Sequence, residues 1–153
     1  MDYISTRGQS PAVDSAQAVL SGLAPDGGLY MPRAIPAFDW QHCLALSAQQ
    51  MSAAILSALL PDIPNMDALV KRAYTGKFET EDLTPTVPVG DFQVLELFRG
   101  PTSAFKDVAL SMLPQLLTAA KQEKGIAQEI RILTATSGDT GKAALVGFQD
   151  VPG

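Results

Sequence analysis

The residue best suited to chemistry in this sequence is Lys106, which stands near the start of a helix predicted over residues 104–122. Steps of three or four residues from it reach Leu110, Leu113 and Leu117, so the spacing predicts that this lysine leads an apolar stripe facing the core. Burial and the positive end of a helix dipole both favour an uncharged amine, which can form a Schiff base with an aldehyde. A surface lysine that extends its ammonium group into solvent is the alternative.

A loop of small and hydroxyl-bearing residues forms the second candidate site: Ser137, Gly138, Asp139, Thr140 and Gly141. It lies between a buried strand predicted over residues 130–134 and a helix predicted from residue 142, the position where α/β sheets bind ligands. Its glycines let the backbone approach a ligand closely, and N–H groups at a helix start bind a carboxylate or phosphate. A ligand-free turn in which Asp139 caps the helix is the alternative.

Several classes of function are excluded. A nucleotide-binding phosphate loop would need glycine at Thr136 and a hydroxyl residue at Ala143, and neither is present. The single Cys43 and single His42 exclude an internal disulfide framework and a His-rich metal site, so we interpret both as ordinary residues on a helix face. The net charge of −5 comes without a basic stripe, which argues against nucleic-acid binding.

Nothing in the sequence predicts a membrane protein. The most apolar stretch, residues 51–60, contains Ser52 and Ser57, and it is about half the length of about 20 residues that a spanning helix needs. The N-terminus lacks the basic region and apolar run of a signal peptide, so we expect a cytoplasmic protein. We expect residues 51–60 to form a core helix, with a dimer contact as the alternative, and the oligomeric state stays open.

The elements that position the two candidate sites fall into two regions. Residues 1–83 are predicted to form a mainly helical N-terminal region, and residues 84–153 to form the start of an α/β domain. Within them, helices are predicted over residues 14–20, 39–46, 48–60, 66–74 and 104–122. A hairpin is predicted with its turn at Gly90-Asp91. Because this sheet shows only two or three strands, we expect the chain to be a truncated fragment.

The two candidate sites together resemble those of threonine synthases, a family of pyridoxal-phosphate enzymes. The resemblance is carried by Gly100-Pro101-Thr102-Ser103-Ala104-Phe105-Lys106-Asp107, by Thr136-Ser137-Gly138-Asp139-Thr140-Gly141, by Tyr3-Ile4-Ser5-Thr6-Arg7-Gly8 and by Gly22-Leu23-Ala24-Pro25-Asp26-Gly27-Gly28-Leu29-Tyr30. It implies an α/β fold like that of the tryptophan synthase β subunit (pyridoxal-phosphate fold type II), here only in part. It also implies conversion of O-phospho-L-homoserine and water to L-threonine and phosphate.

The resemblance further assigns roles to individual residues. Lys106 would hold pyridoxal phosphate as a Schiff base, and Asp139 would face the hydroxyl of its ring. Phe105 would pack near the cofactor, with a role in the core as the alternative. Ser137, Gly138, Asp139, Thr140 and Gly141 would receive the substrate's carboxylate. In this family the loop for the cofactor's phosphate lies beyond the position of Gly153, so we expect these 153 residues to be inactive alone.

Three further interpretations are compatible with the sequence. Arg7 and Arg99 could attract phosphate, although a structural role is the simpler interpretation of each. A related phospho-lyase acting on another phosphorylated amino compound would use the same lysine. A binding or assembly module could retain the scaffold without catalysis.

Overall fold

The computed structural model describes all residues from 1 to 153. Six helices and four short strands follow one another along the chain. They are β1 (Tyr3–Ser5), α1 (Ser15–Ser21), β2 (Tyr30–Pro32), α2 (Trp40–Cys43), α3 (Ala48–Leu59), α4 (Met66–Tyr74), β3 (Thr86–Val89), β4 (Phe92–Leu95), α5 (Asp107–Glu123) and α6 (Asp139–Phe148). None of these helices combines the length and apolar character needed to cross a bilayer.

The strands form two separate antiparallel pairs. β1 pairs with β2 so that Ile4 lies opposite Met31. β3 pairs with β4, and Gly90, at the turn between them, has a φ of 59°, a value that glycine adopts without steric cost. The predicted hairpin with its turn at Gly90-Asp91 is therefore confirmed.

Local sequence signals set the ends of several helices. Asp14 caps α1 by accepting a hydrogen bond of 2.8 Å from the N–H of Gln17. Ser47 and Gln50 form a reciprocal capping box at the start of α3. The predicted helices over residues 14–20, 48–60 and 66–74 are confirmed to within a residue at each end. The helix predicted over residues 39–46 is shorter, because residues 44–46 close into tight turns with i→i+3 hydrogen bonds.

The core lies where α1, α3, α4 and α5 pack together. Val70 and Ala73 of α4 are almost fully buried, and Met112 and Leu116 of α5 pack into the same cluster. Burial of each of the larger side chains, Val70, Met112 and Leu116, contributes roughly 1.5–3 kcal/mol of hydrophobic stabilisation. The apolar segment over residues 51–60 joins this core, as expected.

The strand predicted over residues 130–134 is wrong. These residues adopt no regular structure, and Leu133 is 95% exposed. A buried parallel strand needs neighbouring strands to pair its N–H and C=O groups. Here no strand lies alongside, and the N–H of Ile130 instead donates to the carbonyl of Gly153. The division of the chain at residues 83 and 84 stays a prediction.

Candidate functional site

Lys106 is the residue immediately before α5, with helical backbone angles of −69° and −16°. Its side chain is half-buried, and its Nζ lies 4.6 Å from the centroid of the Phe105 ring. Phe105 itself is 60% exposed. The amine belongs to none of the ion pairs in the structure. It is therefore a primary amine beside an open aromatic face, with no carboxylate bound to it.

The neighbouring carboxylate of Asp107 is turned away from the amine. If it lay close to Lys106, its charge would favour the ammonium form. Instead Asp107 is 2% exposed and accepts two hydrogen bonds from Thr102, 2.8 Å from the backbone N–H and 2.6 Å from the hydroxyl. Lys106 and Asp107 are adjacent in the chain, but their functional groups thus lie in different surroundings.

The prediction that Leu110, Leu113 and Leu117 form the buried face of α5 is wrong. Leu110 and Leu117 are only half-buried, and Leu113 is 36% exposed. The buried face instead carries Met112 and Leu116, because this is the side on which α1 and α4 pack. Lys106 therefore stands beside a half-open helix face and does not lead into the core.

The loop before α6 exposes most of its polar groups. Ser137, Asp139 and Thr140 are exposed, whereas Gly141 is buried. The loop's side-chain hydrogen bond runs from the N–H of Gly138 to the hydroxyl of Thr136, at 3.4 Å. Asp139 is the first residue of α6 but makes no capping hydrogen bond, so the alternative in which it caps the helix is not what the structure shows. The first N–H groups of the helix stay available to an anion.

Two glycines shape this loop for steric reasons. Gly138 has a φ of 144°, which L side chains rarely adopt. At Gly141, an added Cβ would lie less than 3.0 Å from Cγ2 of Thr136, closer than real Cβ atoms come to such a neighbour. The backbone of Gly141 therefore lies directly against the side chain of Thr136, which fixes the shape of the loop.

The helices that carry the two sites pack against each other. Pro114 lies inside α5 and has no N–H, so the carbonyl of Leu110, four residues earlier, lacks its usual helical partner. Gly147 of α6 occupies the space beside that carbonyl, and a Cβ at this position would collide with the backbone of Leu110. The structure thus places the helix of Lys106 beside the helix of the loop, although no hydrogen bond or ion pair in it joins Lys106 to residues 137–141.

The two arginines considered as phosphate ligands have internal partners. Arg99 contacts Glu79 at 2.8 Å and Glu96 at 2.6 Å, and both carboxylates raise the pKa of its guanidinium group. The Nη1 of Arg7 donates to the backbone carbonyl of Asp26 at 3.0 Å. Both arginines thus have the internal partners that the structural interpretation expects.

Other candidates lie apart from this chemistry. His42 is exposed and Cys43 buried on the short helix α2, as ordinary residues of a helix face. No group of three or more His, Cys, Asp or Glu residues is arranged to hold a metal ion. A cavity of about 690 Å³ lies between α4, α5 and residues 149–152, and neither Lys106 nor the loop lines it. Sequence reasoning missed the pairing of Thr102 with Asp107, which gives no periodic signal.

Comparison of the sequence with known proteins gives a consistent result. The family described as "Threonine synthase N terminus" matches residues 2–74. The threonine synthase of Methylobacillus glycogenes is 42% identical over 94% of this chain, which covers 33% of that protein. The threonine synthase of Corynebacterium glutamicum is 43% identical over 94% of this chain and 32% of its own length. The chain thus spans about a third of the length of the curated relatives it matches.

Comparison of the structure with solved structures agrees. A threonine synthase from Brucella melitensis, solved with pyridoxal phosphate bound, superposes with a TM-score of 0.89 at 38% identity, over 99% of this chain and 34% of that one. The yeast threonine synthase superposes with a TM-score of 0.82 at 35% identity, over 98% of this chain and 33% of that one. The expected fold, a partial α/β architecture of this type, is confirmed.

Proposed function

Because this chain belongs to the threonine synthase family, we propose that it supplies the reactive lysine and the substrate loop of a threonine synthase. The full-length protein would convert O-phospho-L-homoserine and water to L-threonine and phosphate. The observation that carries the proposal is the amine of Lys106, which is half-buried, free of any carboxylate and adjacent to the exposed ring of Phe105.

The residues present fit pyridoxal phosphate. A primary amine without an ion-pair partner is the group that condenses with an aldehyde, and Lys106 supplies it. The ring of Phe105 offers an apolar surface beside that amine, and we assign the exposed carboxylate of Asp139 to the hydroxyl of the cofactor ring. When bound, pyridoxal phosphate supplies an electron sink for negative charge that develops on the substrate's carbon atoms.

Lys106 would act a second time as a proton carrier. Once substrate is bound, its Nζ would remove a proton from the α or β carbon of the substrate and return one later in the reaction. A general base needs an unpaired, uncharged amine within hydrogen-bond reach of the proton. Thr102 supports this role indirectly, because it holds the carboxylate of Asp107 away from the amine.

The loop before α6 would bind the substrate's carboxylate. The unpaired N–H groups at the start of α6 and the positive end of its dipole favour an anion. The exposed hydroxyls of Ser137 and Thr140 add donors. Gly138, whose φ of 144° favours glycine, has no side chain that could block the approach of a ligand. Gly141 completes the loop by packing its backbone on Thr136.

Borohydride reduction of the full-length protein with its cofactor tests the proposal. Peptide mapping should find the reduced pyridoxyl group on Lys106, and Lys106→Ala should lose the label together with about 10³-fold or more of the phosphate release. The matched control is Lys142→Ala, which removes an exposed lysine from α6 and should keep both. A label on another lysine, or normal turnover in Lys106→Ala, would refute the assignment.

Substrate identity needs its own measurement. The competing function is a phospho-lyase that acts on another phosphorylated amino compound with the same lysine. Phosphate release from O-phospho-L-homoserine should exceed release from other phosphorylated amines when kcat/KM values are compared. A preference for a different amine would move the protein to that second activity, whereas absence of any borohydride label would favour a non-catalytic module.

A further inference from the structure

Asp107 stands out because a carboxylate is buried directly beside the reactive lysine in sequence. It is 2% exposed, and both of its oxygens are occupied by Thr102, Oδ2 by the backbone N–H at 2.8 Å and Oδ1 by the hydroxyl at 2.6 Å. Burying a carboxylate costs several kcal/mol unless hydrogen bonds compensate. A buried carboxylate is therefore a poor source of stability by itself. The relevant feature of Asp107 is the pair of segments that it joins.

The loop on which Asp107 closes is shaped to receive it. Gly100 is buried so closely that an added Cβ would lie within 3.0 Å of the Cγ of Asp107. Ser103 has a φ of 57°, a left-handed conformation that is uncommon for residues other than glycine. The N–H of Ser103 donates to the carbonyl of Gly100, which closes a turn. The loop over residues 100–103 is therefore held against the first turn of α5 by one side chain.

We propose that Asp107 is a positioning residue for Lys106, acting through its buried hydrogen bonds to Thr102. This inference rests on the proposed function. The pair fixes the backbone from which Lys106 extends, since residue 106 lies between the loop and the helix that the pair joins. It also keeps the carboxylate from forming an ion pair with the adjacent amine.

Four variants of the full-length protein separate positioning from general stability. Asp107→Asn keeps the shape of the side chain but removes its charge, so that the N–H of Thr102 donates to a neutral amide oxygen and the hydroxyl of Thr102 accepts from the amide NH₂, both of them weaker hydrogen bonds. Thr102→Val removes the hydroxyl and keeps the N–H, whereas Thr102→Ser restores the hydroxyl. Asp62→Asn is the matched control, because Asp62 accepts from the N–H and hydroxyl of Ser15 at 3.1 and 2.7 Å, away from this loop.

The experiment starts from protein from which pyridoxal phosphate has been removed. After pyridoxal phosphate is added back, the measured quantity is the rate at which a borohydride-reducible Schiff base forms on Lys106, with the site confirmed by peptide mapping. Thr102→Val should slow this rate by about tenfold or more, as expected for a misplaced reacting group, and Asp107→Asn by a smaller factor, because its hydrogen bonds are weakened but not removed. Thr102→Ser should react like the wild type. Asp62→Asn should lower the melting temperature but leave the rate within about twofold.

The outcomes distinguish this inference from the proposed function. If the wild type labels at Lys106 and Thr102→Val labels at the same rate, the positioning role is overturned and the proposed function stands. If the wild type does not label at Lys106, both fall. Should Asp107→Asn not fold, the comparison of Thr102→Val with Thr102→Ser decides the question by itself, because rescue by serine requires the hydroxyl and not merely the fold.

Discussion

A methyl group added at Gly141 should destabilise the protein only while Thr136 keeps its own methyl group. In Gly141→Ala the new Cβ falls less than 3.0 Å from Cγ2 of Thr136. Overpacking of this kind costs about 1–3 kcal/mol, whereas replacing glycine by alanine in a helix gains about 1 kcal/mol. We therefore expect a net loss of about 0–2 kcal/mol in the free energy of unfolding.

The companion change Thr136→Ser removes the obstructing atom. The next atoms that the Cβ would meet are Cβ of residue 136 at 3.7 Å and the hydroxyl of Thr134 at 3.8 Å, both ordinary contacts. In this background Gly141→Ala should be neutral or stabilising by up to about 1 kcal/mol. The coupling between the two positions should thus be about 1–3 kcal/mol.

Thermal unfolding of the wild type, both single variants and the double variant measures this coupling. In full-length form, the same four proteins should show a raised KM for the proposed substrate, O-phospho-L-homoserine, only in Gly141→Ala, with borohydride labelling of Lys106 unchanged in all of them. Equal destabilisation by Gly141→Ala in both backgrounds would show that Thr136 is not the obstacle. The contact of Gly141 with Thr136 would then not determine the shape of the loop.

Two further predictions concern stability. Gly147→Ala should cost about 3 kcal/mol, because its Cβ meets the backbone of Leu110, which no side-chain movement can relieve; a melting temperature near that of the wild type would contradict this. Hydrogen bonds, the largest from the hydroxyl of Ser5 and others from the N–H groups of Gly28 and Gln9, lower the pKa of Asp26 to about 2, so stability from Asp26 is present above about pH 4 and lost as the pH falls towards 2. Between about pH 4 and 2, the stability of Asp26→Asn should therefore fall less steeply with falling pH than that of the wild type. Identical pH dependence of the two proteins would show that Asp26 does not stabilise the fold in this way.

The parts of the fold that sequence reasoning predicted correctly are those with local causes. The start of α1 follows from the side chain of Asp14 three residues before the N–H it binds, and the hairpin turn follows from Gly90. Such signals act within a few residues and do not depend on the rest of the fold. The identity of Lys106 as an amine at a helix start belongs to the same class.

The parts that failed depend on distant neighbours. Whether residues 130–134 form a strand is decided by strands beside them, and the buried face of α5 is decided by where α1 and α4 pack. Leu113 and Met112 are equally apolar in the sequence, yet only Met112 faces those helices. The partnership of Thr102 with Asp107 was missed for a different reason, since it requires the left-handed turn at Ser103.

The contact between Gly147 and the carbonyl of Leu110 has a mechanical consequence. Main-chain atoms on both sides set the separation of α5 and α6, so drift in the surrounding side chains leaves that separation unchanged. Lys106 and the loop before α6 are consequently carried by two helices whose spacing is set by backbone contact. Under the proposed function, we expect a motion that admits substrate to hinge outside this helix pair, so that Lys106 and the loop travel together.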